Sequence, residues 1–148
     1  RPIEESVEAT LAIEVKAGID HPAFYSGFQE RADRIKDDLL RFLLDTRGEG
    51  RMVVGYGAAA KGNTLLNYCG IRQDFLDYTV DLSPQKQGKY TPGCRLPILD
   101  PAVIKETKPD YVLILPWNLA KEISTQHAYI SEWGGKFVVP IPEVKVLD

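Results

Sequence analysis

Between Met52 and Tyr68 the chain passes from a short apolar run, Met52-Val53-Val54-Gly55-Tyr56, through Gly57-Ala58-Ala59-Ala60-Lys61-Gly62 into the helix-forming stretch Asn63-Thr64-Leu65-Leu66-Asn67-Tyr68. Few architectures accept that order. An apolar run without alternation, bounded by glycines, reads as a strand buried on both faces. A strand that enters a helix directly must be followed by a crossover, which implies parallel pairing and a right-handed connection. The expectation is an α/β, Rossmann-like domain with four or five parallel strands and flanking helices.

The rest of the chain supplies the other strands. Tyr78-Thr79-Val80-Asp81 reads as the second, Tyr111-Val112-Leu113-Ile114-Leu115 as the central one and Lys136-Phe137-Val138-Val139 as a fourth. Leu96-Pro97-Ile98-Leu99 is a short extended piece, and Val144-Lys145-Val146-Leu147 is a candidate edge. Residues 83–93 are rich in Gly, Pro and Lys and read as an irregular loop. Asp100-Pro101 opens a helix, and Asn118 is placed to cap another.

Residues 1–50 read as a helical pair that packs on this domain or on its neighbour, with residues 51–148 forming the Rossmann-like domain. In the first helix Ile3, Val7, Leu11 and Val15 recur every four residues beside Glu4, Glu5, Glu8 and Glu14, and Gly18 ends it. Asp20-His21-Pro22 starts the second. Phe24, Phe28, Ile35, Leu39 and Phe42 form its apolar face, and Gly48 and Gly50 stop it. The chain does not begin with Met, which reads as a piece of a longer protein.

Composition excludes several classes. A net charge of −3 over 148 residues gives no basic face for nucleic acid. No apolar run reaches the ~18 residues of a membrane span. Cys69 and Cys94 are far apart and read as free thiols of a reducing cytoplasm. His21 and His127 cannot form a histidine-rich metal site, and no zinc motif is present. His127 has no carboxylate partner in sequence and reads as a surface or capping residue.

In a parallel sheet, ligands sit outside the carboxyl ends of the strands where strand order reverses. The loops after Gly55, Asp81 and Leu115 should therefore converge. The glycine loop, the helix amides behind it and the Lys61 charge suit an anion, the favoured reading, with a bare strand-to-helix turn as the alternative. The third glycine of a dinucleotide fingerprint would fall at Ala60, and the Gly-Lys-Ser/Thr ending of a Walker loop is absent. Asp81 stands where a ribose-binding acid would lie, or initiates a turn with Ser83-Pro84. Lys86, Lys89 and Tyr90 occupy the next loop. Trp117 and Asn118 follow the central strand and suit stacking and hydroxyl recognition, or a core ring and a helix cap.

Residues 55–71, from Gly55-Tyr56-Gly57 to Cys69-Gly70-Ile71, resemble the signature of the C-terminal domain of S-adenosylmethionine-dependent sugar C-methyltransferases. Residues 81–93 and Leu115-Pro116-Trp117-Asn118 are similar to two further motifs of that family. The resemblance implies a protein with a zinc module and an S-adenosylmethionine-binding methyltransferase domain ahead of this one. It implies a nucleotide-linked keto-deoxysugar as substrate, for instance a dTDP-sugar, deprotonated beside its ketone and methylated as the enolate. This domain would then hold the nucleotide end. Gly55, Gly57, Ala58, Lys61, Asn63, Thr64, Asp81, Lys89, Trp117 and Asn118 are the candidate substrate-binding residues. No catalytic or metal-binding residue is expected in the chain. S-adenosylmethionine is expected on another domain, with no cofactor here, so the chain alone should be inactive. The competing reading is a free-standing NAD(P)- or nucleotide-binding oxidoreductase or regulatory domain.

Overall fold

The computed structural model describes residues 5–147. Ile3 and Glu4, part of the expected first-helix pattern, lie outside the described residues. The chain divides into two compact units, residues 1–34 and 35–148, with the division inside one long helix. In the first unit α1 (Glu5–Ala17) ends at Gly18, whose φ is +77°, and a 3₁₀ turn follows at Pro22–Tyr25. The Asp20-His21-Pro22 signal thus starts this short turn, while α2 begins at Phe28 and runs to Gly48. No residue of α1 is buried.

The second unit is α/β and Rossmann-like. Its strands are β1 (Val53–Tyr56), β2 (Thr79–Val80), β3 (Ile98–Leu99), β4 (Tyr111–Ile114), β5 (Lys136–Val139) and β6 (Lys145–Leu147). Helices α3 (Ala60–Cys69), α4 (Val103–Thr107) and α5 (Ala120–Gln126) join them. The sheet order is β3-β2-β1-β4-β5-β6. Pairing is parallel except between β5 and β6, so the expected edge piece is a sixth, antiparallel strand. The chain leaves β1 toward β2 on one side and later returns to β4 on the other. The order therefore reverses between β1 and β4, and a crevice opens beyond their carboxyl ends.

Alternation along the strands feeds two cores. Val53, Leu113, Leu115 and Val138 face one layer with Leu39 and Leu43 of α2 and Leu65 and Leu66 of α3. Val54, Tyr56, Val112, Ile114 and Phe137 face the other, with Ile104, Ile123 and Ile130. Covering both faces is what a parallel sheet requires, because its strands are apolar on both sides.

The crossover from β2 to β3 contains no helix. Its loop is nevertheless pinned by backbone bonds: Gly88 N–H to Ile98 O at 2.8 Å, Ile98 N–H to Lys89 O at 2.8 Å and Thr91 N–H to Leu96 O at 2.9 Å. The buried Thr91 hydroxyl also accepts the Leu96 N–H at 2.9 Å. Asp100 caps the next turn through the Ala102 N–H at 2.8 Å. No helix of the described residues is long and apolar enough to cross a membrane.

Candidate functional site

Three glycines bring the crevice elements together, each by lacking a Cβ. A Cβ on Gly55 would lie 2.8 Å from Thr79 Oγ1, so β1 and β2 close only over glycine. Gly57, at φ +91°, turns the chain beside Pro116, where a Cβ would meet Cδ at 2.6 Å. A Cβ on Gly62 would meet Leu115 Cβ at 2.5 Å, so this glycine lets α3 lie directly on β4. That is the role of the third glycine in a dinucleotide fingerprint. Here it falls two residues beyond Ala60, one reason why spacing alone did not reveal it.

Thr79 Oγ1 donates to Gly57 O at 3.1 Å and fixes the turn from the side. Behind it the amides of Ala60, Lys61 and Gly62 open α3 and have no partner within the helix. Lys61 leaves that first turn toward the loop after β4. Its ammonium donates to Asn118 Oδ1 and stands 4.5 Å from the Trp117 ring centre. Lys61, Trp117 and Asn118 thus form one cationic and aromatic cluster across the switch point. Asn118 does not cap α5; a 3₁₀ turn over Trp117–Leu119 intervenes, and α5 begins without a side-chain cap.

Asp81 ties two loops together. Oδ2 accepts the Ala58 N–H at 2.7 Å and the Lys86 ammonium at 3.0 Å, while Oδ1 accepts the Ser83 N–H at 2.9 Å. Lys86 also donates to Ala58 O at 3.1 Å. Burial by itself would raise the Asp81 pKa. The bonds from Ala58, Ser83 and Lys86 outweigh it and hold the carboxyl below its ordinary value. Three of the carboxylate's roughly four acceptor positions are occupied. A ribose diol needs two, so Asp81 in this arrangement fits a loop clasp better than the ribose site of NAD or S-adenosylmethionine.

Beside the clasp, a cavity of 240 Å³ lies between α3 and the β2–β3 loop. Ala58, Asn63, Leu66, Lys86, Lys89, Tyr90 and Leu115 are among its lining residues. Asn63 Oδ1 is buried and accepts no hydrogen bond. Such an acceptor costs about 1–3 kcal/mol until a donor reaches it.

The ten candidate residues therefore separate. Ala58, Asn63 and Lys89 line the cavity, Lys61 joins Trp117 and Asn118 at the crevice, and Asp81 clasps the loops between. Gly55 and Gly57 shape the backbone. Thr64 is exposed and returns its hydroxyl to Ala60 O at 3.1 Å. Gln85 is a further lining residue. It carried no sequence signal beyond lying in the loop with Lys86 and Lys89.

His127 is a correction to the surface reading. It is buried, with Nε2 2.7 Å from the Tyr56 hydroxyl and Nδ1 3.1 Å from that of Tyr129. Burial first, then the nearby Lys105 charge, lowers its pKa. Among the described residues no group of three or more His, Cys, Asp or Glu side chains could hold a metal ion.

The family model of the C-methyltransferase C-terminal domain matches residues 1–142. The chain is also 37% identical over 146 residues to the C-methyltransferase NovU of Streptomyces niveus. That match covers 99% of this chain and 35% of the relative, so the chain spans about a third of that protein's length.

Proposed function

This chain belongs to the family of C-methyltransferase C-terminal domains, and we propose that it holds the nucleotide end of a nucleotide-linked keto-deoxysugar while other domains of the whole enzyme perform methyl transfer. The observation that carries the reading is the Lys61, Trp117 and Asn118 cluster at the opening of α3. Free first-turn amides and the helix dipole favour a phosphate there, and Lys61 adds a full charge. The Trp117 ring and the Asn118 amide suit stacking on a ring and hydrogen bonding to hydroxyls.

S-adenosylmethionine would supply the methyl group in the whole enzyme. The residues here do not fit that cofactor, since Asp81 is engaged by Ala58, Ser83 and Lys86. We assign the cofactor and the base that forms the enolate to domains ahead of this one, together with the zinc module. The helical pair of residues 1–50 is taken as the element that packs on this domain or on its neighbour. The isolated chain is expected to show no methyl transfer.

Calorimetric titration tests the reading. Thymidine diphosphate should bind, and Lys61→Ala should weaken it about tenfold or more, the scale of one lost charge-assisted bond. S-adenosylmethionine and NAD should give no comparable heat. Binding of NAD at micromolar strength would replace this reading with the oxidoreductase one.

A further inference from the structure

Helix α1 carries apolar side chains on two sides and buries none of them. Val7, Leu11 and Val15 recur every four residues and form one stripe. Ile13 lies about 200° of helical rotation from Leu11, on the opposite side. Exposure is 46% at Val7, 53% at Leu11, 69% at Ile13 and 63% at Val15, and no residue of α1 is buried. Phe24 and Phe28, beyond α1, are exposed as well. Residues 5–34 thus hold eight of the thirteen exposed large hydrophobic side chains among the described residues.

A helix that covers one surface confines its apolar residues to one face, and a helix apolar on both sides is built to be enclosed. Single exposed apolar residues need no cover, but a run this dense marks an interface. We propose that α1 is an interdomain docking helix. Its Val7-Leu11-Val15 stripe and Ile13 seat in an apolar, basic-rimmed groove of the domain that precedes this one in the whole protein. The inference rests on the reading that further domains lie ahead of this one, and it is independent of the nucleotide that this domain holds.

Chain order is the first argument for that occupant. The matching family is a C-terminal domain, and most of the length of NovU lies outside the match. In a protein so arranged α1 is the first helix after the junction, so the preceding domain is tethered beside it. A short tether gives such a contact an effective concentration on the order of millimolar, above that of a free partner or a second copy.

Charge is the second. Glu8 borders the stripe beside Val15, and Glu14 borders its other side beside Val7. Neither has an ion-pair partner among the described residues. A groove that took in the stripe would bring its rim within reach of both acids, and Lys or Arg there would answer them. A second copy seated on the same stripe would bring the same two acids to the seam in place of cations.

Hydrogen exchange of the α1 amides, measured without ligand in the whole protein and in the isolated chain, tests this. A 13-residue helix with no packing is marginal, so in the isolated chain these amides should exchange nearly as fast as in an unfolded one. In the whole protein they should exchange about a hundredfold more slowly. Leu11→Lys should remove most of that protection and leave the melting temperature of the isolated chain unchanged, because Leu11 is exposed there. Glu8→Lys combined with Glu14→Lys should reduce the protection too, by setting cations against the rim. Equal exchange in the two proteins would overturn the docking, and slow exchange in both would place the cover of α1 within this chain. Protection of the isolated chain that grows with its concentration would make a second copy the occupant and overturn the proposal. Unchanged protection after reversal of both acids would overturn the basic rim. No nucleotide enters the measurement, so its failure leaves the ligand reading standing, and a failure to bind nucleotide leaves the docking standing.

Discussion

The Asp81 carboxylate accepts the Ala58 backbone N–H at 2.7 Å, joining the end of β2 to the turn between β1 and α3. An acid at the end of the second strand is the position at which dinucleotide folds meet a ribose. Here the same acid faces inward along the loop. Lys86 closes the arrangement from above by bonding both Asp81 and Ala58 O. The shape of the crevice is therefore set by one partly buried carboxylate and three donors.

Asp81→Asn should loosen this clasp. The amide keeps one acceptor but turns a donor toward other donors, at a cost of about 1–3 kcal/mol. Chemical denaturation should show that loss, and the Ala58 amide should exchange faster with solvent. An unchanged midpoint and unchanged exchange would show that the clasp holds nothing.

Gly62→Ala should destabilise the domain through overpacking. The new Cβ would meet Leu115 Cβ at 2.5 Å, forcing α3 away from β4 at a cost of about 1–3 kcal/mol. Combining it with Leu115→Gly, which removes the opposing Cβ, should cost less than the sum of the two single changes, because both act at one contact. Additive losses measured by denaturation would place the strain elsewhere.

Stability should depend on His127 protonation. The folded pKa is depressed below the ordinary 6.5, so the neutral ring belongs to the native state and the unfolded chain takes up the proton first. This contribution is complete above about pH 6.5 and is lost as pH falls below it toward the folded pKa. Denaturation midpoints between pH 7.5 and 5 should fall less steeply in His127→Gln than in the native chain. Parallel pH profiles would remove His127 from the account.

Both thiols should be slow toward thiol reagents in the folded chain. Burial pushes Cys69 up to about 11, although Lys36 opposes it, and burial raises Cys94 as well. At pH 8 little thiolate is present on either, and both side chains are covered. Labelling should accelerate sharply in denaturant. Rapid reaction of either cysteine in the native chain would contradict its burial.

The sequence by itself determined the layers of this domain. Uniform apolar runs at Val53-Val54 and Tyr111-Val112-Leu113-Ile114, each followed by a helix-forming stretch, leave little choice but a parallel sheet covered on both faces. The glycine-rich turn was legible for the same reason, because backbone freedom is written in residue type. Local pattern could not say which glycine meets which side chain. Gly62 carries the close helix packing because Leu115, far along the chain, lies beneath it. Nor could pattern show that Asp81 turns to Ala58, that Asn118 takes the Lys61 charge rather than capping α5, or that His127 lies between two tyrosines. Asp81 and Asn118 each had a reasonable local role in sequence, and His127 had no evident partner there. Tertiary structure decided among them, since a buried polar group bonds to whatever the fold brings within reach, and that neighbour comes from another strand or loop.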